Sequence, residues 1–122
     1  MKLHATLSGG ANTITGYGDD YVAVNGARHQ SSVIVTAERV QAWQVAAFES
    51  LSASDFEALK GLDVEIVILG TGPRQRFPHP RLTAALTNAR VGLEVMDVKA
   101  ACRTYNILVA EARKVAAALL LK

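Results

Sequence analysis

Cysteine is almost missing: Cys102 stands alone in a chain of 122 residues. A lone cysteine excludes an internal disulfide, so a reducing compartment is the easier reading and the cytoplasm is the expected location. Long apolar runs are missing too. The longest, residues 115–121, is far short of the roughly 20 residues that cross a bilayer, so no membrane insertion is expected. The opening MKLHATLSGG has no apolar core of about 7–15 residues and reads as no secretory signal. His4, His29 and His79 are scattered, and neither His-x-x-x-His nor Cys-x-x-Cys occurs. No metal site is expected from such spacing. The chain lacks a Walker lysine and a G-x-G-x-x-G run, so no cofactor is expected. Neither sign of charge dominates, since 13 basic against 11 acidic residues leave +2. That imbalance is too small to imply nucleic acid, and no nucleic-acid partner is expected.

What is present suits a globular fold. Half the residues are hydrophobic and 20% are charged, which is ordinary for a folded domain. The length predicts a single domain over residues 1–122. A chain of this size should bury about two-thirds of its unfolded surface.

The N-terminal part reads as short strands and turns. Residues 3–7 alternate weakly and suggest an edge strand. Residues 14–17 and 21–24 are β-rich around Gly18, Asp19 and Asp20, which predicts a hairpin. Asn25-Gly26 is the strongest turn signal, because both positions tolerate positive φ. A short strand at 28–30 and a better one at 32–36 follow. Residues 37–50 suggest a turn or two of helix, with Trp43 as a core or lid anchor. Ser54-Asp55-Phe56-Glu57 has the form of a capping box, with Ser54 as N-cap and Ser52 competing; Gly61 supplies the stop.

The C-terminal part alternates strand and helix. Residues 64–69, VEIVIL, predict a central strand buried on both faces. It leaves through Gly70-Thr71-Gly72-Pro73 into a basic loop, residues 74–81. Pro80 opens a helix to about Asn88. Residues 93–96 predict a second buried strand, parallel to the first through a right-handed crossover. A helix then starts near Asp97, whose carboxylate caps Lys99 or Ala100, and runs to about Leu120, since no Gly or Pro interrupts it. Ile107, Ala118 and Leu121 would leave apolar surface off its main face, so a weak homodimer is expected. The fold is α/β, with helices against a mixed sheet and an N-terminal β-meander.

Residues 96–113, MDVKAACRTYNILVAEAR, hold the densest set of candidate site residues. Cys102 falls in the first turns of a helix beside Lys99 and Arg103, an environment that lowers a thiol pKa. A buried, inert thiol is the plainer reading. Tyr105 and Asn106 read as hydrogen-bonding to neighbouring loops. Glu111 and Lys114 have the spacing of a helix ion pair, and Arg113 would seek Asp97 or another carboxylate. Gly70, Thr71 and Gly72 end a central strand, where α/β sheets collect ligands. Arg74 and Arg76 would add charge for a carboxylate or phosphate. His79, Arg81 and Phe77 lie in the same loop, for which a solvated surface is the plainer reading. No Ser–His–Asp order is compelling, and no catalytic residue is assigned.

VEIVILGTG, PRQRFPHPRL and LEVMDVKAACRTYNILVAEARKVAAALL, with the GYG near Tyr17, resemble a family of small α/β proteins. It is the domain-of-unknown-function family four-nine-eight, the fold group named after an archaeal Mth protein. The resemblance implies a three-layer α/β fold with a mixed central sheet and a long C-terminal helix. Its relatives include a mitochondrial assembly factor of respiratory complex I. Two positions depart from its pattern, which has Thr at Val98 and Gly at Ala112. The change at Ala112, small for small, should only tighten a helix contact. The family brings no established catalytic residues.

The leading functional reading is therefore a non-enzymatic interaction or assembly-factor-type module with a protein partner. The alternative is a small-molecule or anion-binding protein, or an enzyme. Its pocket would lie between the loop (Gly70, Thr71, Gly72, Arg74, Arg76) and the helix start (Cys102, Arg103, Tyr105, Asn106).

Overall fold

The computed structural model describes residues 10–122; the strand expected at 3–7 lies outside them. Five short strands come first: β1 (Ile14–Tyr17), β2 (Val22–Val24), β3 (Ala27–His29), β4 (Val33–Thr36) and β5 (Val40–Ala42). A 3-10 turn (Phe48–Ser50) leads to helix α1 (Ala53–Lys60), strand β6 (Ile66–Thr71) and helix α2 (Pro80–Asn88). Strand β7 (Gly92–Met96), helix α3 (Val98–Ala110) and strand β8 (Val115–Leu120) complete the chain.

The meander forms as its turns dictate. Asn25 and Gly26 take φ of 51° and 86°, the left-handed pair that a two-residue hairpin needs. They join β2 to β3, and β1-β2-β3 is a small antiparallel sheet. The large sheet has the order β5-β4-β8-β6-β7. There β6 runs parallel to both β7 and β8, while β4 runs antiparallel to β8. The sheet is mixed, as expected.

Strand alternation sorts the core into two faces. Val115, Ala117, Leu119 and Leu121 join Val33, Val35 and Ile68 under α3 and the small sheet. Ala116, Ala118 and Leu120 join Ile34, Val67 and Leu69 under Phe56 and Leu59 of α1 and Leu86 of α2. Helices α1 and α2, the large sheet, and α3 with the small sheet thus make three layers. No helix among the described residues is long and apolar enough to cross a membrane.

The helix expected from Asp97 to Leu120 ends at Ala110, and β8 takes the remainder. Ala112 adopts a φ of 60°. Its N–H donates to Val109 O at 3.0 Å, and Arg113 N–H donates to Leu108 O at 3.0 Å. That is a Schellman stop with alanine at the position usually held by glycine. The change at Ala112 therefore concerns a chain reversal rather than a helix contact. Ala118 and Leu121, cited for a second copy, are buried in or beside the sheet, and only Ile107 of that trio is exposed.

Smaller differences have local causes. Residues 37–50 hold β5, a hairpin partner of β4, and a 3-10 turn in place of the expected helix. Ser52, not Ser54, caps α1, with its N–H donating to Asp55 Oδ2 at 2.8 Å. β7 is an edge strand and is not buried on both faces. Lys114 pairs with Asp63 at 3.7 Å rather than with Glu111.

Candidate functional site

The loop and the helix of the expected pocket meet where the end of β6 runs under the start of α3. A Cβ at Gly70 would stand 3.1 Å from Ala101 Cβ, 3.2 Å from Val98 Cα and 3.0 Å from Leu119 Cδ2. The missing side chain lets α3 lie close on β6, so this glycine holds a helix–strand contact. Gly72 has a φ of 79°, and a Cβ there would meet the backbone of Lys122 at 2.7 Å. Its carbonyl accepts from Val98 N–H at 2.8 Å, and Asp97 Oδ1 accepts from Ala100 N–H at 2.9 Å. Two of the orphan amides that open α3, those of Val98 and Ala100, therefore have partners within the chain, which leaves less for an anion to bind.

Thr71 is fully buried and organises the loop. Its hydroxyl donates to Arg74 O at 2.7 Å and accepts from Arg76 N–H at 3.0 Å. Arg74 is exposed. The Arg76 guanidinium donates to Glu49 Oε2 at 2.8 Å and lies 4.6 Å from the centre of the Phe48 ring. The Glu49 carboxyl is lowered from its ordinary value, first by a backbone hydrogen bond, against the opposing effect of burial, and then by Arg76.

The helix residues are directed elsewhere. Cys102 and Tyr105 are fully buried under the small sheet. Burial pushes the Cys102 thiol up to about 12, against the smaller opposing pull of Arg103. A thiol so placed is neutral near pH 7 and a poor nucleophile. Tyr105 donates to Asn12 O at 2.8 Å, and burial raises its phenol as well. Asn106 bonds both backbone groups of Ile14. Arg103 donates to Tyr17 Oη at 3.0 Å. Tyr105 and Asn106 thus find partners within the fold, as buried polar groups require, and Arg103 is engaged at the surface by Tyr17.

Two open clefts lie elsewhere, and only the second includes residues of the expected loop. One, of about 840 Å³, lies between the β4–β5 turn, the α1–β6 loop and the α3–β8 turn, and Arg39, Asp63, Arg113 and Lys114 line it. The other, of about 490 Å³, is lined by Phe48, Glu49, Leu51, Arg74, Arg76, Pro78, His79, Arg81 and Leu82. Cys102, Arg103, Tyr105 and Asn106 line neither. The basic loop was the sequence signal for the second; its acidic and aromatic complement, Glu49 and Phe48, lies 27 and 28 positions before Arg76 and gave none. No group of three or more His, Cys, Asp or Glu with metal-binding proximity occurs among the described residues.

Comparison with known proteins agrees with this architecture. Residues 14–120 match the family model described as "Protein of unknown function (DUF498/DUF598)". A crystal structure of a Bordetella parapertussis protein is 41% identical with a TM-score of 0.86, covering 90% of this chain and 95% of that one. A Mth938-like domain from Bordetella pertussis, solved by NMR, is 35% identical with a TM-score of 0.81, covering 95% of this chain and 87% of that one. The bovine protein named NADH dehydrogenase (ubiquinone) 1 alpha subcomplex assembly factor 3 is 30% identical over 109 residues, 88% of this chain. The chain spans 59% of that relative's length. With the match running across nearly all of its sheets and helices, the chain belongs to the DUF498/DUF598 family.

Proposed function

We propose that the chain is a non-enzymatic protein-interaction module of the assembly-factor type. The observation that carries this reading is the state of the 96–113 segment. Its nucleophile, phenol and carboxamide are occupied by packing and internal hydrogen bonds. A catalyst needs convergent titratable groups in a concave site, and these converge on the interior. The bovine relative's name supports the assembly side of the reading. The expected setting is the cytoplasm, where a free thiol stays reduced.

The experiment is affinity capture of the tagged chain from its native cell, quantified against an untagged control. The expected result is a reproducible, discrete set of partner proteins. Recovery of the same proteins from both preparations would remove the reading.

An anion-binding protein or enzyme is the second reading, and Arg74 and Arg76, which line open clefts, favour it. Of the residues expected in its pocket only these two arginines line open clefts; Gly70, Thr71 and Gly72 are buried, and Cys102, Arg103, Tyr105 and Asn106 line none of them. A thermal-shift screen with phosphate, citrate and nucleotides tests it. A rise in melting temperature that Arg74→Ala abolishes is the supporting result; no rise with any of them counts against it.

A further inference from the structure

We propose that the arginine loop at residues 73–81 is the docking surface of this module, and that it receives a short acidic peptide segment carrying one bulky apolar side chain. The proposal rests on the interaction-module reading above.

The loop is held in place before any partner arrives. All three prolines of the chain, Pro73, Pro78 and Pro80, lie in it. Thr71 bonds it at Arg74 and at Arg76, and Gln75 Nε2 donates to Val95 O at 2.8 Å. Arg76 is fixed between Glu49 and the Phe48 ring. On this fixed loop Phe77 is 71% exposed. A single exposed aromatic is unremarkable on a mobile surface. Held on a restrained loop, it resembles an interface anchor, because little conformational entropy remains to be lost on binding.

Phe77 lies between Arg76 and Pro78, which both line the cleft of about 490 Å³. Phe48, Leu51 and Leu82 give that cleft apolar surface, enough for one large side chain. Its charges specify the rest of the occupant. Glu49 answers Arg76, but Arg74 and Arg81 form no ion pair among the described residues. Arg74 acts on Glu49 only at longer range, and two guanidiniums without an ion pair beside an apolar hollow complement carboxylates flanking a hydrophobic residue. Residues 1–9 of this chain contain Lys2 and no acidic side chain, so they offer no such complement. A concave cleft suits a peptide better than a flat lipid surface.

The test pans a random peptide library displayed on phage against the full chain, with counter-selection on an Arg74→Glu, Phe77→Ala, Arg81→Glu triple variant. The expected winners carry an excess of Asp and Glu around one Phe, Trp or Leu. A synthetic copy of the leading peptide should bind wild type at least about tenfold tighter than the variant, and rising salt should weaken it. Unchanged melting shows that the variant folds; Arg74→Glu alone is the fallback. Failure to enrich any peptide, enrichment without acidic excess, or equal binding to both proteins overturns the proposal. So does loop-dependent binding of phosphatidylserine vesicles or a single-stranded oligonucleotide in place of peptide. Native capture with wild type and variant side by side separates the two readings. A partner retained by the variant overturns the docking surface and leaves the module standing. No partner with either protein removes the module itself.

Discussion

Asn106 on α3 pairs with Ile14 on β1 as though it were a neighbouring strand. Its Oδ1 accepts from Ile14 N–H at 2.9 Å and its Nδ2 donates to Ile14 O at 2.7 Å. The carboxamide thus copies the two-bond exchange of an antiparallel ladder. It ties a helix packed on the large sheet to the edge of the small one, across 92 positions of sequence.

Replacing Asn106 by Leu keeps the bulk and removes both bonds. Two backbone groups of Ile14 then lose their partner, at a cost of about 1–3 kcal/mol. Asn106→Asp keeps one acceptor but sets a carboxylate against the Ile14 carbonyl, so it should also destabilise. Urea unfolding measures both, and hydrogen exchange at the Ile14 amide should accelerate. An Asn106→Leu protein as stable as wild type would show that the pair contributes nothing net.

Ala112 sits at a φ of 60° at the end of α3. Left-handed backbone costs an L-residue about 1–2 kcal/mol, and glycine's greater freedom in the unfolded chain offsets part of any relief. Ala112→Gly should therefore stabilise by about 0.5–1 kcal/mol. Ala110→Gly, two residues earlier within the helix, should have the opposite sign, a loss of up to about 1 kcal/mol. Matching signs in urea titrations would refute the assignment of the stop to Ala112.

That stop also explains where the sequence was legible. The Asn25-Gly26 turn and the Pro80 helix start each carry a local backbone requirement that a residue type announces, and both were readable. The run VAAALL carries none. Six small and apolar residues without Gly or Pro fit a buried helix as well as a strand buried on both faces. The decision rests on pairing with β4 and β6, which are 84 and 49 positions away at Ile34↔Ala118 and Ile66↔Val115. The site divided in the same way. Residue types located a basic loop and a reactive-looking helix, but the direction of Cys102, Tyr105 and Asn106 depends on the small sheet folding over them.

Gly70 should tolerate no enlargement. A methyl there would lie 3.0–3.2 Å from Leu119, Ala101 and Val98, and one of these contacts is helix backbone. Gly70→Ala should cost about 1–3 kcal/mol by overpacking, and Gly70→Val more. Pairing Gly70→Ala with Ala101→Gly should recover part of the loss, because the two side chains compete for one space. If the double variant is no more stable than the sum of the singles predicts, the strain lies elsewhere.

Cys102 gives a pH dependence with a defined sign. The folded thiol titrates at about 12 against an ordinary value of 9.0, chiefly because it is buried. The folded state therefore holds its proton more tightly than the unfolded state does. The associated stability is complete below pH 9 and is lost as pH rises toward the folded value, with a slope of up to about 1.4 kcal/mol per pH unit. Tyr105, also raised by burial from 10.0, adds a loss of the same sign from pH 10 upward. Cys102→Ala lowers stability everywhere by opening a small cavity, yet it should flatten the limb between pH 9 and 10. Urea midpoints across pH 7–11 separate the offset from the slope. In parallel, the native thiol should resist Ellman's reagent at pH 8 and react only as fast as the chain opens. Prompt labelling at pH 8 together with an unchanged alkaline slope in Cys102→Ala would place the thiol at the surface and return it to the candidates for chemistry.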